Sequence, residues 1–258
     1  MKKALLPALL LVLLLPSASF AWGAVGHRYI MGKALDLLPA PMQPFFQKYR
    51  DELLMRVNDP DLWRVVGWEE EAPNHFVDFG VPEYGPYPFD ALPRSYDAAV
   101  QKFGLAKVKQ YGTLPWREAE EFGNLRRAFE GMAKAQPYAG SNAVLFAAVA
   151  AHYVQDATQP LHATDNFDGL KSGQAGVHGR FESSLLERYL DRLTITPARP
   201  APMTEPRDAS FAIVMSSFQL VPELLAADKA AVAGKELYDD EYYERFFTAV
   251  KPCLLYTS

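Results

Sequence analysis

One apolar stretch decides the fold class: residues 141–157 read SNAVLFAAVAAHYVQDA. It is apolar on nearly every side, which predicts a helix buried all round, with Ser141 as its N-cap. His152 and Asp156 lie four residues apart and therefore project from one face of that helix. A buried carboxylate that is left unpaired costs several kcal/mol, so we expect a cation beside Asp156. For one such pair alone, a solvated pair or a satisfied core histidine is the alternative.

The segments on either side of this stretch also carry helical patterns, and no alternating run predicts a sheet. We therefore expect an all-α fold, with a single compact multi-helix domain at residues 22–250. Scattered prolines, glycines and aromatics over Asn58–Pro93 predict a long irregular loop region. The other predicted helices are Ala24–Leu38, Pro44–Val57, Arg94–Phe103, Trp116–Ala135, His178–Leu193, Asp208–Ala227 and Asp239–Lys251, with a proline-rich connection at Thr194–Pro206.

The N-terminus predicts a cleaved export signal. Met1-Lys2-Lys3 is basic, a short leucine-rich run follows, and small residues precede Trp22. The run is shorter than the roughly 20 residues of a membrane span, so a retained anchor is the weaker alternative. We predict a signal peptide at residues 1–21, cleavage after Ala21, and a secreted or periplasmic protein.

The composition of the chain further limits the class of protein. The chain has one cysteine, Cys253, so no internal disulfide framework is expected, and bound metal could stabilise an exported fold instead. The formal charge of −5 offers no broad basic surface, which weighs modestly against tight binding of long nucleic acids. Residues 251–258 break the amphipathic pattern and suggest a truncated or artefactual end; an apolar tail packed on the core is the alternative.

Histidine–carboxylate pairs recur outside the central helix. His178 and Glu182 repeat the spacing of four, and Gln159-Pro160-Leu161-His162 adds a third histidine nearby. Imidazole nitrogens and carboxylate oxygens are the ligands that zinc takes outside thiolate sites. These pairs predict buried metal ligands.

Two further histidines lie towards the N-terminus. His27 follows the predicted mature terminus at Trp22, whose α-amino group, with a pKa of roughly 7.7 to 8, could bind a metal together with its carbonyl. Asp61 and His75 lie in the loop region. Taken singly, Trp22 and His27 could be ordinary residues, and Asp59, Asp61 and Asp78 could be turn residues or solvated acids.

Together these motifs resemble the superfamily that joins bacterial zinc-dependent phospholipases C with fungal zinc nucleases acting on single strands. The resemblance spans most of the chain from Trp22 onward and uses all five histidines. It implies an all-α domain around three zinc ions, with Asp156 bridging two of them. The implied ligands are His75, His152 and Asp61 for the first ion, Trp22 and His27 for the second, and His162, His178 and Glu182 for the third.

The resemblance implies hydrolysis of a phosphodiester by a zinc-activated water, with Asp61 orienting or deprotonating that water. Glutamate at position 182 favours the phospholipase C type. The spacing from Trp22 to His27 and the sequence Asp61-Leu62-Trp63-Arg64 are more typical of the nucleases. Arg64 could touch the phosphate or be a surface arginine.

Phospholipid and single-stranded nucleic acid therefore both stay open as substrates. In the nuclease reading, the candidates for base stacking are Trp63, Phe76, Phe79 and Tyr84; core packing is the alternative, and the one we favour for Phe76. A third reading is a non-catalytic zinc-binding protein. We expect no obligate protein partner and at most peripheral membrane contact.

Overall fold

The computed structural model describes residues 22–195, 203–234 and 237–257, and every regular element in them is helical. The predicted all-α fold is confirmed, while the predicted signal peptide lies outside the described residues, as does most of the proline-rich connection. The α-helices are α1 (Gly23–Leu37), α2 (Gln43–Lys48), α3 (Arg50–Arg56), α4 (Asp59–Val65), α5 (Tyr96–Phe103), α6 (Leu105–Gln110), α7 (Leu114–Ala133), α8 (Ala139–Thr158), α9 (Val177–Gly179), α10 (Leu185–Tyr189), α11 (Pro206–Val232) and α12 (Asp240–Thr257).

The region predicted as an irregular loop contains local helices. Pro60 occupies the first turn of α4, where its missing N–H costs nothing. A 3-10 helix then runs over Glu69–His75, and another over Pro82–Tyr84. These short elements position side chains that a flexible loop would leave free.

Two other predicted boundaries are wrong. The helix predicted over Pro44–Val57 is divided at Tyr49 into α2 and α3. Ser141 is not the N-cap of α8, because the helix begins at Ala139 after Tyr138, whose φ of 63° is left-handed. No glycine or proline marks the division at Tyr49, whereas Pro137 and Gly140 flank the start of α8 and could have marked it.

Helix α8 lies at the centre of the molecule. It packs extensively against α7 and also contacts α1, α3, α4 and α11. Val149 and Tyr153 belong to one apolar cluster, with α5 and α7, whereas Val144 and Ala148 belong to a second, with α1 and α3. A third cluster joins Trp22 to α9–α12. The metal-ligand candidates lie between these apolar layers.

Helices α11 and α12 close the bundle. By length and composition α11 could cross a membrane, but it packs against α7, α8 and α12 and buries the polar residues Ser217 and Asp228, as a core helix does. Helix α12 continues beyond the predicted end at Lys251, and Cys253 and Leu254 are buried in the third cluster. These two residues pack on the core.

Candidate metal centre

Helix α8 places His152 and Asp156 on one buried face. Asp156 Oδ2 lies 3.2 Å from His152 Nε2 and 2.9 Å from His75 Nδ1. Its other oxygen, Oδ1, lies 3.6 Å from His27 Nε2 and 3.8 Å from His162 Nδ1. One carboxylate therefore faces four imidazoles, and both residues of the pair have no solvent exposure.

Helix α1 brings His27 to this face. Its ring stacks on that of His152 with centroids 4.2 Å apart, and its Nδ1 lies 2.7 Å from Gln155 Oε1, which turns Nε2 towards Asp156. Trp22 is fully buried just before α1, and its indole N–H donates to the Gln155 carbonyl oxygen at 2.7 Å. The first residue of the described chain is thus fixed beside His27.

The segment from α4 to His75 supplies the next candidate ligands. Asp61 lies in the first turn of α4 and is 1% exposed, with Oδ1 3.8 Å from His75 Nδ1 and Oδ2 4.0 Å from His27 Nε2. Arg64, one turn later, lies 3.3 Å from Asp61 Oδ1. His75 ends the 3-10 helix, and its Nδ1 lies 3.1 Å from His152 Nε2.

A separate group forms around Glu182. His178 Nε2 lies 2.7 Å from Glu182 Oε2, and His162 Nε2 lies 3.6 Å from the same oxygen and 3.2 Å from His178 Nε2. Gln159 donates to Glu182 Oε2 at 2.9 Å. Glu182 lies in a π-helical turn, Arg180–Ser184, rather than in the regular helix predicted from His178 to Leu193. Such turns occur frequently at functional sites.

Burial favours the neutral forms of the groups around Asp156. It raises the pKa of Asp61 and of Asp156, and it lowers the pKa of His27 and of His75. Burial also opposes ionisation of Glu182, but His178 and His162 outweigh it and hold its pKa below the usual range. A bound cation would favour ionised carboxylates and neutral imidazoles, which are the forms that ligate a metal.

Several buried donor and acceptor atoms in the cluster have no hydrogen-bond partner in the described structure. They are His27 Nε2, Asp61 Oδ2, Asp156 Oδ1 and His162 Nδ1. Such orphaned atoms are rare in buried sites and call for an ion or a water. Two atoms that both lie about 2.1 Å from one tetrahedral ion are about 3.4 Å apart. The separations of His152 from His75 (3.1 Å), of His27 from Asp156 (3.6 Å) and of His162 from Glu182 (3.6 Å) are close to that value. Those of His75 from Asp156 (2.9 Å) and of His178 from Glu182 (2.7 Å) are shorter.

Three groups of ligand atoms lie mutually within 4.8 Å: His27–His152–Asp156, Asp61–His75–His152 and His162–His178–Glu182. These buried clusters could hold metal ions. The structure thus brings together every side chain predicted as a ligand from His27 to Glu182. In the first two groups His152 is shared, and Asp156 also contacts His75, so both residues lie between the two positions.

A cavity of about 740 Å³ opens onto these groups. Arg64, His162 and His178 line it, together with Phe76 and Phe167. Phe76 is half-buried at the cavity wall, so the preference for core packing was wrong. Phe79 and Tyr84 have no exposure, so the prediction that they stack on a substrate is also wrong. Trp63 is half-buried against Trp68.

The other acids of the loop region differ from one another. Asp59 pairs with Arg56 at 3.2 Å and is partly buried, and this burial raises its pKa. Asp78 lines the cavity instead, where burial, and then the charge of Asp165, raise its pKa to about 7. Sequence reasoning also missed Gln155, Gln159 and Phe167. Gln155 and Gln159 flank Asp156 on its own helix turn, which was a usable signal, but Phe167 had none.

The fold and the cluster together define a helical protein with buried histidine–carboxylate groups beside a cavity. No family model matches the chain, and no curated protein matches it.

Proposed function

We propose that the protein is an exported zinc-dependent phosphodiesterase, leaning to the phospholipase C type. The observation that carries the proposal is the position of Asp156. A single buried carboxylate faces four histidines, at separations suited to shared metal ligation, beside a cavity large enough for a substrate. A closed storage site would have no need of such a cavity.

The ligand chemistry favours zinc. All the candidate ligand side chains are histidine or carboxylate, and Cys253 belongs to none of the three groups. Two ions would share Asp156, and a third would be held by His162, His178 and Glu182. If Trp22 is the mature terminus, its amine and carbonyl would complete the position next to His27, in line with the superfamily resemblance.

Zinc bound in these groups would lower the pKa of a coordinated water from about 15.7 to about 7 and polarise the phosphate oxygens. The chain's own residues supply orientation. Asp61, held by Arg64, presents a carboxylate oxygen that can accept a hydrogen bond from a nucleophilic water. The Arg64 guanidinium reaches the cavity wall, where its planar donors suit a phosphate.

A zinc nuclease acting on single strands is the second candidate. Phe76 and Phe167 line the cavity, and half-exposed aromatic rings of this kind can stack on bases. The glutamate at position 182 favours the phospholipase type instead. The two candidates share the metal groups and differ in the phosphodiester that the cavity would bind.

The test compares three substrates: phosphatidylcholine micelles, single-stranded DNA and a chromogenic phosphodiester. Each is incubated with zinc-loaded protein and with protein treated with a chelator. Asp61→Asn should abolish turnover. Asp59→Asn is the matched control, because Asp59 lies in the same turn of α4 but pairs with Arg56 and belongs to none of the three ligand groups. Absence of chelator-sensitive turnover on all three substrates would favour a non-catalytic zinc-binding protein.

A further inference from the structure

A buried glutamate that is not among the ligand candidates lies directly behind His75. Glu71 is 1% exposed, and its Oε1 lies 3.6 Å from His75 Nε2, slightly beyond hydrogen-bond distance. His75 Nε2 is itself buried and has no hydrogen-bond partner among the described residues. The two groups lie four residues apart in the 3-10 helix Glu69–His75, so the local backbone sets their relative position.

The Glu71 carboxylate is held from two sides. The Tyr153 hydroxyl donates to Oε1, and the Asn74 side-chain amide donates to Oε2 at 3.1 Å. A phenol O–H donates and a carboxylate oxygen accepts, so Tyr153 is the donor of this pair. Glu71 is therefore oriented as an acceptor.

Tyr153 is in turn fixed from behind. The Arg117 guanidinium lies over its ring, 5.4 Å from the centroid, and pairs with Glu121 at 2.9 Å. Tyr153 directly follows His152 on α8. This chain of contacts, from α7 through α8 to the 3-10 helix, ends at His75.

Three of the other four histidines of the centre, all except His162, are held in the opposite way. His152 Nδ1 lies 2.8 Å from the Val57 carbonyl oxygen, His178 Nδ1 lies 3.2 Å from that of Phe167, and His27 Nδ1 lies 2.7 Å from Gln155 Oε1. Each of them turns Nε2 towards the cluster. His75 instead turns Nδ1 towards Asp156 and His152, and its Nε2 faces Glu71.

We propose that Glu71 is a positioning residue that keeps the proton of His75 on Nε2, so that His75 binds metal through Nδ1. The proposal rests on the metal centre of the proposed function. A histidine ligand commonly donates its second ring N–H to a carboxylate, which fixes the tautomer and raises the basicity of the ligating nitrogen. Glu71, held by Tyr153 and Asn74, is placed for that role.

The test has two readouts besides activity. Long-range ¹H–¹⁵N spectra of histidine-labelled protein, with and without zinc, report which nitrogen of His75 carries the proton. Zinc affinity is measured by competition with a chromophoric chelator. Glu71→Gln should weaken binding about 10- to 100-fold, the range for loss of such a partner. Glu70→Gln is the matched control, because Glu70 is exposed and pairs with Lys109, and it should bind zinc as the wild type does.

Tyr153→Phe provides a second variant should Glu71→Gln fold poorly, since it keeps the carboxylate and removes its donor. It should weaken zinc binding by less than Glu71→Gln. A proton on Nδ1 of His75 in the wild type, or equal zinc affinities for Glu71→Gln and Glu70→Gln, would overturn the proposal while leaving the metal centre intact. Failure of the wild type to take up zinc would overturn the proposed function together with this role of Glu71.

Discussion

Replacing Asp156 with asparagine should change the stability of the zinc-bound protein far more than that of the metal-free protein. Asparagine keeps the size of the side chain but removes the charge that two ions would share. In metal-free protein the buried carboxyl lacks a cation, and burial raises its pKa, so little stability should be lost. With zinc present, the variant should lose much of the stabilisation that metal binding provides. The substitution therefore has a small effect on the stability of the metal-free protein and a large effect on that of the zinc-bound protein.

The size of the loss follows from ligand linkage. Zinc at 1,000 times its Kd stabilises a site by about 4.1 kcal/mol, and at 10 times its Kd by about 1.4 kcal/mol. If Asp156→Asn weakens the binding of each of two ions 100-fold, the free energy of unfolding falls by about 5 kcal/mol. For a domain of this size that corresponds to a fall in Tm of about 10–20 °C.

The assay is calorimetry of wild type and variant at fixed free zinc and again in excess chelator. Asp165→Asn serves as a control, because Asp165 pairs with Lys171 at the surface and contacts no proposed ligand. An Asp156→Asn protein with the same zinc-dependent rise in Tm as the wild type would refute the shared role of Asp156.

Three further predictions concern other parts of the structure. Arg64→Lys should lower kcat/KM about 10- to 100-fold, because lysine loses the planar donors that face the cavity. Steady-state kinetics measure this loss, with Arg56→Lys as a surface control, and equal kcat/KM values for the two variants would exclude Arg64 from the site. A protein that begins one residue before Trp22 should bind one zinc ion fewer than a protein that begins at Trp22, as measured by elemental analysis. An unchanged number of zinc ions per chain would exclude the Trp22 amine as a ligand. Burial raises the pKa of Glu118 from 4.5 to about 8, so the folded state favours its neutral form. The free energy of unfolding should therefore fall as pH rises between these values, by at most about 1.4 kcal/mol per pH unit. Urea titrations should show a weaker pH dependence of this free energy for Glu118→Gln, and the same pH dependence in both proteins would contradict the raised pKa of Glu118.

Helix α8 and the candidate metal ligands on it could be predicted from the sequence because the pattern that indicates them is local. An unbroken apolar run identifies a buried helix, and a histidine and an aspartate on it stand out against alanine and valine. The same reasoning found Glu182 from its spacing to His178, although the helix there is π rather than α. Residues four apart still lie close together when the turn is π-helical.

What the sequence could not provide is the environment of each side chain. Phe79 and Tyr84 are buried and Phe76 faces the cavity, yet all three share one aromatic-rich segment. Glu71 is the last of three consecutive glutamates, a pattern typical of a solvated surface, and only tertiary packing against Tyr153 buries it. Helix α4 begins at Asp59 in a segment whose prolines and glycines suggested a loop. Long-range packing decided each case.

The most direct measurement of the central claim is the rate at which the purified protein hydrolyses a chromogenic phosphodiester through one cycle of chelation and zinc restoration. The account predicts turnover in the zinc-loaded protein, loss on chelation, and recovery when zinc is returned to the wild type but not to Asp61→Asn. Turnover that is unaffected by chelation, or a fully zinc-loaded protein with no turnover, would contradict it.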